Sequence, residues 1–264
     1  MTTRPLAVRV TVKGATFAFH RIVHRPMEWL VRRFSYVGQQ EFFDPSAFAW
    51  IPSIEAGWTA IRQELRALLN DREQIPTFED IAPSNTPGQV RDGKWKSFWL
   101  VAYGRKMTEN CRRCPETTRL IETIPAIKTA FFSILAPGKH IPEHAGPYTG
   151  LLRYHLGLIV PRQKEACRIR VGSDFAYWEE GRSLVFDDTY MHEVWNDTDE
   201  ERVVLFVDFA RPLPFPLSVL NEAVIWLAGR TALVQEIMDN ANEWNGRNRG
   251  RKTRSTPAET ATAP

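Results

Sequence analysis

With three cysteines in 264 residues, at positions 111, 114 and 167, the chain has too few, and an odd number, for a disulfide scaffold. Cys111 and Cys114 have no second Cys/His pair at finger spacing, so they read as reduced thiols rather than zinc ligands. Long apolar runs are missing as well. The best stretch, 219–234, is interrupted by Asn221, Glu222 and Arg230 and falls short of the ~20 residues that a spanning helix needs. No basic–apolar–small-residue leader opens the sequence. These absences give the expectation of a cytoplasmic protein that does not span a membrane. Nor does one sign of charge dominate: 34 Lys and Arg face 31 Asp and Glu, and 43% of residues are hydrophobic. Such proportions describe a globular protein and exclude disordered, collagen-like and coiled-coil classes. No internal repeat is present.

The near balance conceals an uneven distribution. Residues 1–40 hold seven basic side chains (Arg4, Arg9, Lys13, Arg21, Arg25, Arg32, Arg33) and one acid, Glu28. Residues 241–264 hold five bases against Glu243 and Glu259, so the body between the two ends is net acidic. Basic ends on an acidic body fit peripheral contact with an anionic membrane, at the inner membrane face, and equally fit plain solvation. Nucleic acid is not expected as a partner, because neither end interleaves aromatics with its charges.

Periodicity predicts a helix around 27–34 and a one-faced amphipathic helix over 54–69. A Pro-, Gly-, Asn- and Asp-rich loop over 76–93 follows, then a strand over 95–103 and a short helix over 116–124. From residue 129 the period becomes two, with strands expected over 129–135, 151–160, 167–171, 175–178, 183–186 and 201–209. Short strands punctuated by turns argue for a mainly β sandwich or jelly roll flanked by N- and C-terminal helices. The expected organisation is a basic N-terminal segment with its helix (1–75), the β domain (76–215), a helical extension (216–245) and a disordered basic tail (246–264).

Four of the six histidines, His140, His144, His155 and His192, fall in the strand-rich region. Imidazole is the commonest metal ligand, but His144 and His192 lie 48 residues apart, so only a fold can join them. Along the strand over 151–160, Leu152, Tyr154, Leu156 and Leu158 share one face, and Arg153, His155 and Gly157 the other. An Arg and a His side by side on an apolar strand are costly unless they point at an anion, which a guanidinium grips through two bonds. Arg202, ten residues after His192, repeats the pattern at the start of an apolar strand. Its alternative is an ion pair with Asp208 or another acid at a sheet edge.

The segments FFSILAPGKHIPEHAGPYTGLLRYHLGLIVP and WEEGRSLVFDDTYMHEVWNDTDEERVVLFVDFARPL resemble the aspartyl/asparaginyl β-hydroxylase family over roughly half the chain. The resemblance implies a double-stranded β-helix (a cupin-like jelly roll) and dioxygenase chemistry using Fe(II), O₂ and 2-oxoglutarate as cosubstrate. On the matching motifs it implies that His144 and His192 hold the iron. Ser133 and Arg202 would hold the distal carboxylate of 2-oxoglutarate, Arg153 and His155 would line the cosubstrate, and Trp95 would stand at the mouth. The family includes peptidyl aspartate/asparagine hydroxylases and bacterial enzymes acting on lipid A acyl chains, with relatives acting on ornithine lipids. The substrate expected is an aspartyl or asparaginyl residue of a peptide or protein, with a membrane-lipid acyl chain as the alternative. Most dioxygenases of this type carry a carboxylate two residues after the first iron histidine. Gly146 stands there instead, and the resemblance implies that the peptidyl enzymes similarly lack a carboxylate at this place whereas the lipid A hydroxylases carry an acid. Asp187, Asp188 and Glu143 are candidates to replace it, and Asp187-Asp188 reads equally as a turn that positions His192. A catalytically dead jelly-roll binding module would have lost a metal His or the anchoring Arg, and all are present.

Overall fold

The computed structural model describes residues 25–83 and 91–255. Two antiparallel sheets carry the fold. The larger has the order β1(Phe42–Phe43), β9(Ser183–Phe186), β6(Leu151–Ile159), β11(Arg202–Ala210), β4(Ile127–Leu135), β2(Trp95–Ala102), β3(Arg105–Lys106). The smaller runs β5(Lys139–His144), β10(His192–Asn196), β7(Cys167–Val171), β8(Asp174–Tyr177). This is a double-stranded β-helix.

Period-two alternation divides the large sheet into two faces. On its back, Phe132 and Ile134 of β4, Leu152 and Tyr154 of β6, and Val203 and Leu205 of β11 pack with Ile54 of α2(Ile51–Ala56) and Ile61 and Leu65 of α3(Trp58–Leu69). Its front faces the small sheet, where Trp95, Phe131, Leu135 and Val204 meet Ile141, Ile169 and Val194. The front residues of β11 are Arg202, Val204, Phe206 and Asp208, and each polar one among them lies inside the roll. Register fixes their neighbours: Asp208 sits opposite Arg153, Phe206 opposite His155, and Val204 opposite Ser133.

The expected helix over 54–69 is two helices, α2 and α3, divided at Gly57. A Cβ there would strike the Leu120 side chain of α6(Pro115–Ile121), which follows α5(Thr108–Arg113). The 76–93 loop contains α4(Phe78–Ile81), capped by a reciprocal Thr77–Asp80 box. Strands β5 and β10 were not expected, because their outward residues are charged or aromatic and leave no continuous apolar run. Among the described residues, those ahead of residue 76 join the β domain, since β1 pairs with β9 and α2–α3 share the back core. At the N-terminal side, α1(Arg25–Phe34) packs beside α7(Leu217–Ala228) through Met27, Val31, Leu213 and Ile225. Helix α8(Ala232–Ser255) runs into the stretch expected to be disordered and sends Ile237, Met238 and Ala241 into the front core. Residues 256–264 and the basic residues 1–24 lie outside the described residues. No helix among those described is long and apolar enough to cross a membrane.

Candidate active site

Pairing of β5 with β10 places His192 directly opposite His144, with ring centroids 4.1 Å apart. Each Nδ1 faces a carbonyl two residues back: Pro142 O at 2.8 Å for His144, Tyr190 O at 3.0 Å for His192. A carbonyl only accepts, so Nδ1 carries the proton in both rings and each Nε2 keeps a lone pair. Burial pushes the His192 imidazole down to about 3, with His144 and Arg153 adding to the effect. Burial likewise lowers His144. Two neutral rings whose tautomer is held by backbone carbonyls are in the form a metal takes. Among the described residues no cluster of three or more His, Cys, Asp or Glu side chains forms a metal cage.

Deeper in the roll lies a set of donors with the opposite tautomer. His155 Nδ1 accepts from Trp178 Nε1 at 3.3 Å, so its proton sits on Nε2, which is buried and has no partner. The Arg202 guanidinium stacks 4.5 Å from the Trp178 ring centroid, and its Nε and Nη1 are also buried without partners. Burial lowers Arg202 to about 10, with only the Cys167 sulfur in partial compensation. Burial and the neighbouring Arg202 and Arg153 hold His155 neutral, well below its ordinary value. Ser133, on the same inner face one strand away, accepts from Trp95 Nε1 at 3.0 Å. Its hydroxyl proton is taken by no acceptor among the described residues, so Trp95 turns it into a donor. Unpaired buried donors cost roughly 1–3 kcal/mol each, more when charged, so this arrangement is complementary to an anion and expensive without one.

Arg153 behaves differently. The cross-strand register gives it Asp208 (Nε–Oδ1 2.9 Å), and Asp188 meets it from the other side at 2.7 Å. Burial works against the charge on Arg153, and the two carboxylates more than offset it, raising its pKa. Asp208 is therefore spent on Arg153, and among the described residues no acid pairs with Arg202. Burial raises Asp188 to about 6 against the pull of Arg153. A Cβ on Gly146 would collide with the Asp188 carboxylate, so the place of a side chain at 146 is filled from another strand connection. Asp187 is fully buried, ion-paired with Arg211, and accepts from the Thr189 amide at 3.0 Å. It braces the turn leading into His192.

A cavity of about 140 Å³ opens beside these groups. Its walls include His144, Arg153, Asp188, Trp95, Phe206 and Ile237. Ser133, His155 and His192 are buried just beyond the lining, touching Trp95, Phe206 and His144 in turn, and Arg202 is buried behind them on Trp178, which also bonds His155. Trp95 is itself clamped by a parallel stack on Phe78, centroids 3.8 Å apart. Tyr103 enters the wall with its phenol raised to about 12 by burial and by Asp208. Thus His144, His155, His192, Ser133, Trp95, Arg153 and Arg202 converge, while His140 does not. It lies on the outside of the small sheet, bonded to Glu193 at 2.7 Å and stacked on Trp195. Trp178, Tyr103, Phe206 and Ile237 were not singled out from sequence. Only Phe206, alternating with Arg202 and Asp208 on β11, carried a signal that could have found it.

The profile of the Aspartyl/Asparaginyl beta-hydroxylase family matches residues 55–212. An ornithine lipid ester-linked acyl 2-hydroxylase from Rhizobium tropici is 43% identical over 217 residues, 82% of this chain and 77% of that protein. The aspartyl/asparaginyl beta-hydroxylase of Homo sapiens is 35% identical over 168 residues, 61% of this chain and 21% of the human protein. This chain therefore spans about a fifth of the human relative's length. Among solved structures, a prolyl hydroxylase from Trichoplax adhaerens is similar at 12% identity and a TM-score of 0.45, over 64% of this chain and 81% of that one. The chain is a hydroxylase and belongs to the aspartyl/asparaginyl β-hydroxylase family.

Proposed function

We propose that this hydroxylase is an Fe(II)- and 2-oxoglutarate-dependent dioxygenase. The observation that carries the reading is the fully buried Arg202, whose unpaired N–H groups lie with the unpaired His155 Nε2–H near two neutral imidazoles. A dicarboxylate answers the donors, and a cation answers the lone pairs. His144 and His192 would hold the ion through Nε2. Arg202 and Ser133 would hold the far carboxylate of 2-oxoglutarate, and His155 would donate toward its chelating end. Trp95 orients Ser133, and Arg153 keeps Asp188 and Asp208 in place. When bound, iron and cosubstrate activate O₂ and supply the oxidant for an unactivated C–H. The protein contributes position and dryness: Phe131 stacks on Phe206 at 4.2 Å, and Phe186 packs edge-on against both His155 and His192.

For the substrate we infer an acyl chain of a membrane lipid, worked on at a membrane surface. Supporting it are the aromatic and aliphatic cavity walls (Phe78, Trp95, Trp99, Phe131, Phe206, Ile237) and the likeness to the ornithine lipid enzyme over most of both chains. A peptidyl aspartate or asparagine is the second reading, favoured by the glycine at position 146, since the peptidyl enzymes similarly lack a carboxylate at that place. Incubation of the protein with Fe(II), 2-oxoglutarate and O₂ beside lipid and peptide fractions tests both. The expected result is a mass gain of one oxygen on an acyl chain with release of succinate. Gain on peptide alone overturns the lipid reading, and no dependence on 2-oxoglutarate overturns the dioxygenase reading.

A further inference from the structure

Helix α7 has its apolar stripe on the wrong side for a soluble protein. Its inner face presents Asn221, bonded to Tyr148 and to the Gly150 carbonyl, together with Ile225. Its outer face presents Val219, Leu220, Ala223, Trp226 and Leu227, the spacing of one helical stripe, with Trp226 57% exposed. Beside it, α1 buries Met27 and Val31 and leaves Trp29 63% exposed, with Phe34 and Tyr36 exposed at its end. Phe215, in the turn before α7, is 83% exposed. Eight large apolar or aromatic side chains thus occupy one helical layer, where solvated surfaces scatter them singly.

The charges around this layer have one dominant sign. Arg32 and Arg33 sit on α1, Arg230 caps the Trp226 ring, and Arg105 stands across a second cavity from α7. The acids of the two helices are Glu28, near the Tyr148 phenol, and Glu222, which is paired with Lys128 at 2.7 Å. The 24 residues that precede α1 contain Arg4, Arg9, Lys13 and Arg21 and no acid, and they join the body at the first turn of this same helix. Trp and Tyr beside Leu and Val, rimmed by arginine, is the composition of surfaces that settle at a headgroup boundary.

The layer also lies beside the catalytic cavity. Tyr148 and Leu151 pack under α1 and α7 and line that cavity too. Tyr103 is shared between it and the second cavity, whose other wall is Ile225, Trp226, Gly229 and Arg230 of the α7 end. We propose that the α1–α7 face docks on an anionic lipid bilayer and presents the Tyr103 side of the active site to it. The choice of lipid as substrate rests on the reading above; the docking itself does not.

The test is sedimentation of the full chain with phosphatidylcholine vesicles, with and without phosphatidylglycerol. Binding is expected chiefly to the anionic vesicles, weakening as salt rises. A V219S/L220S/L227S variant, altered only at exposed positions, should lower the partition coefficient about tenfold or more while Fe(II) and 2-oxoglutarate binding stay at wild-type level. A second readout leaves the apolar area nearly intact: brominated phosphatidylglycerol should quench wild-type tryptophan fluorescence, and W29F/W226F should lose most of that quenching. Failure of the wild type to bind either vesicle overturns the proposal. So does a stripe variant that binds as well as wild type, or one that merely breaks a wild-type dimer. Docking with no oxygen delivered to any lipid upholds this face and overturns the acyl substrate instead.

Discussion

Strands β5 and β10 present two faces built from alternating residues of the same short segments, and the two faces are finished differently. Outside, every charged group has a protein partner: His140 with Glu193, Glu193 and Glu143 with Arg170, and Arg168 with Asp197 and the Trp195 ring. Inside, His144 and His192 keep free lone pairs, and across the roll His155 and Arg202 keep free donors. The outer arrangement is complete without a ligand. The inner one is stable only because the surrounding sheets over-determine it, and its unfinished valences are where a ligand contributes binding energy. Buried polar groups left unpaired inside a roll whose outer groups are all paired are a stronger functional sign than either histidines or arginines alone.

Three experiments press on that contrast. Removing an inner ligand should have the largest effect: His192→Ala or His144→Ala is expected to bind no Fe(II) and to show no turnover. Normal turnover in either variant would misplace the metal site. Arg202→Met should separate function from stability. The KM for 2-oxoglutarate should rise at least about tenfold, while the ligand-free variant unfolds in urea at higher concentration, gaining ~1–3 kcal/mol because an uncompensated buried charge is gone. In the wild type, metal-loaded protein with 2-oxoglutarate at 100 times its Kd should gain ~2.7 kcal/mol, and at the same concentration a tenfold weaker variant should gain only ~1.4 kcal/mol. An Arg202→Met protein that is less stable and keeps its KM would mean the guanidinium is structural.

The smallest effect concerns pH. His155 is held neutral when folded, so below pH ~6.5 the unfolded chain takes up a proton that the folded chain refuses. Stability then falls as the pH drops, by ~1.4 kcal/mol per pH unit for each such proton. His155→Asn should remove one proton's worth of that slope between pH 6 and 5, measured by urea unfolding. His140→Ala, on the exposed outer face, should change stability by less than ~1 kcal/mol at neutral pH. Equal acid slopes in wild type and His155→Asn would show that the inner ring is not held as described.

Much of this site was legible before any fold. Alternation alone put Arg153 and His155 on one face of their strand, and the apolar run after Arg202 marked it as a strand opening into the interior. What alternation cannot supply is the partner across the sheet. Arg153 and Arg202 look alike in sequence, yet register gives Asp208 to the first and leaves the second without an acid. The strands carrying the candidate metal-site histidines were themselves invisible, because KHIPEH and HEVWN spend their outward positions on charge and a tryptophan. Trp178, which sets both the His155 tautomer and the Arg202 stack, ends the strand expected over 175–178 and stands just past β8, and alternation there gave no sign that its indole serves two buried donors across the roll. The substrate is no more legible: the glycine at position 146 points to peptides, whereas the apolar wall residues Phe78, Trp95, Trp99, Phe131, Phe206 and Ile237 come from five separate elements that no local pattern joins.

One of those walls has a practical consequence. Ile237 reaches the catalytic cavity from α8, beyond the family span, while every candidate group for iron and 2-oxoglutarate stands on the two sheets. The residues that would hold iron and 2-oxoglutarate thus lie within the family span, as do most wall residues, whereas Ile237 is a wall residue supplied from outside it. Under the proposed acyl-chain reading, trimming Ile237 to alanine is expected to shift chain-length preference while leaving Fe(II) and 2-oxoglutarate binding as they are.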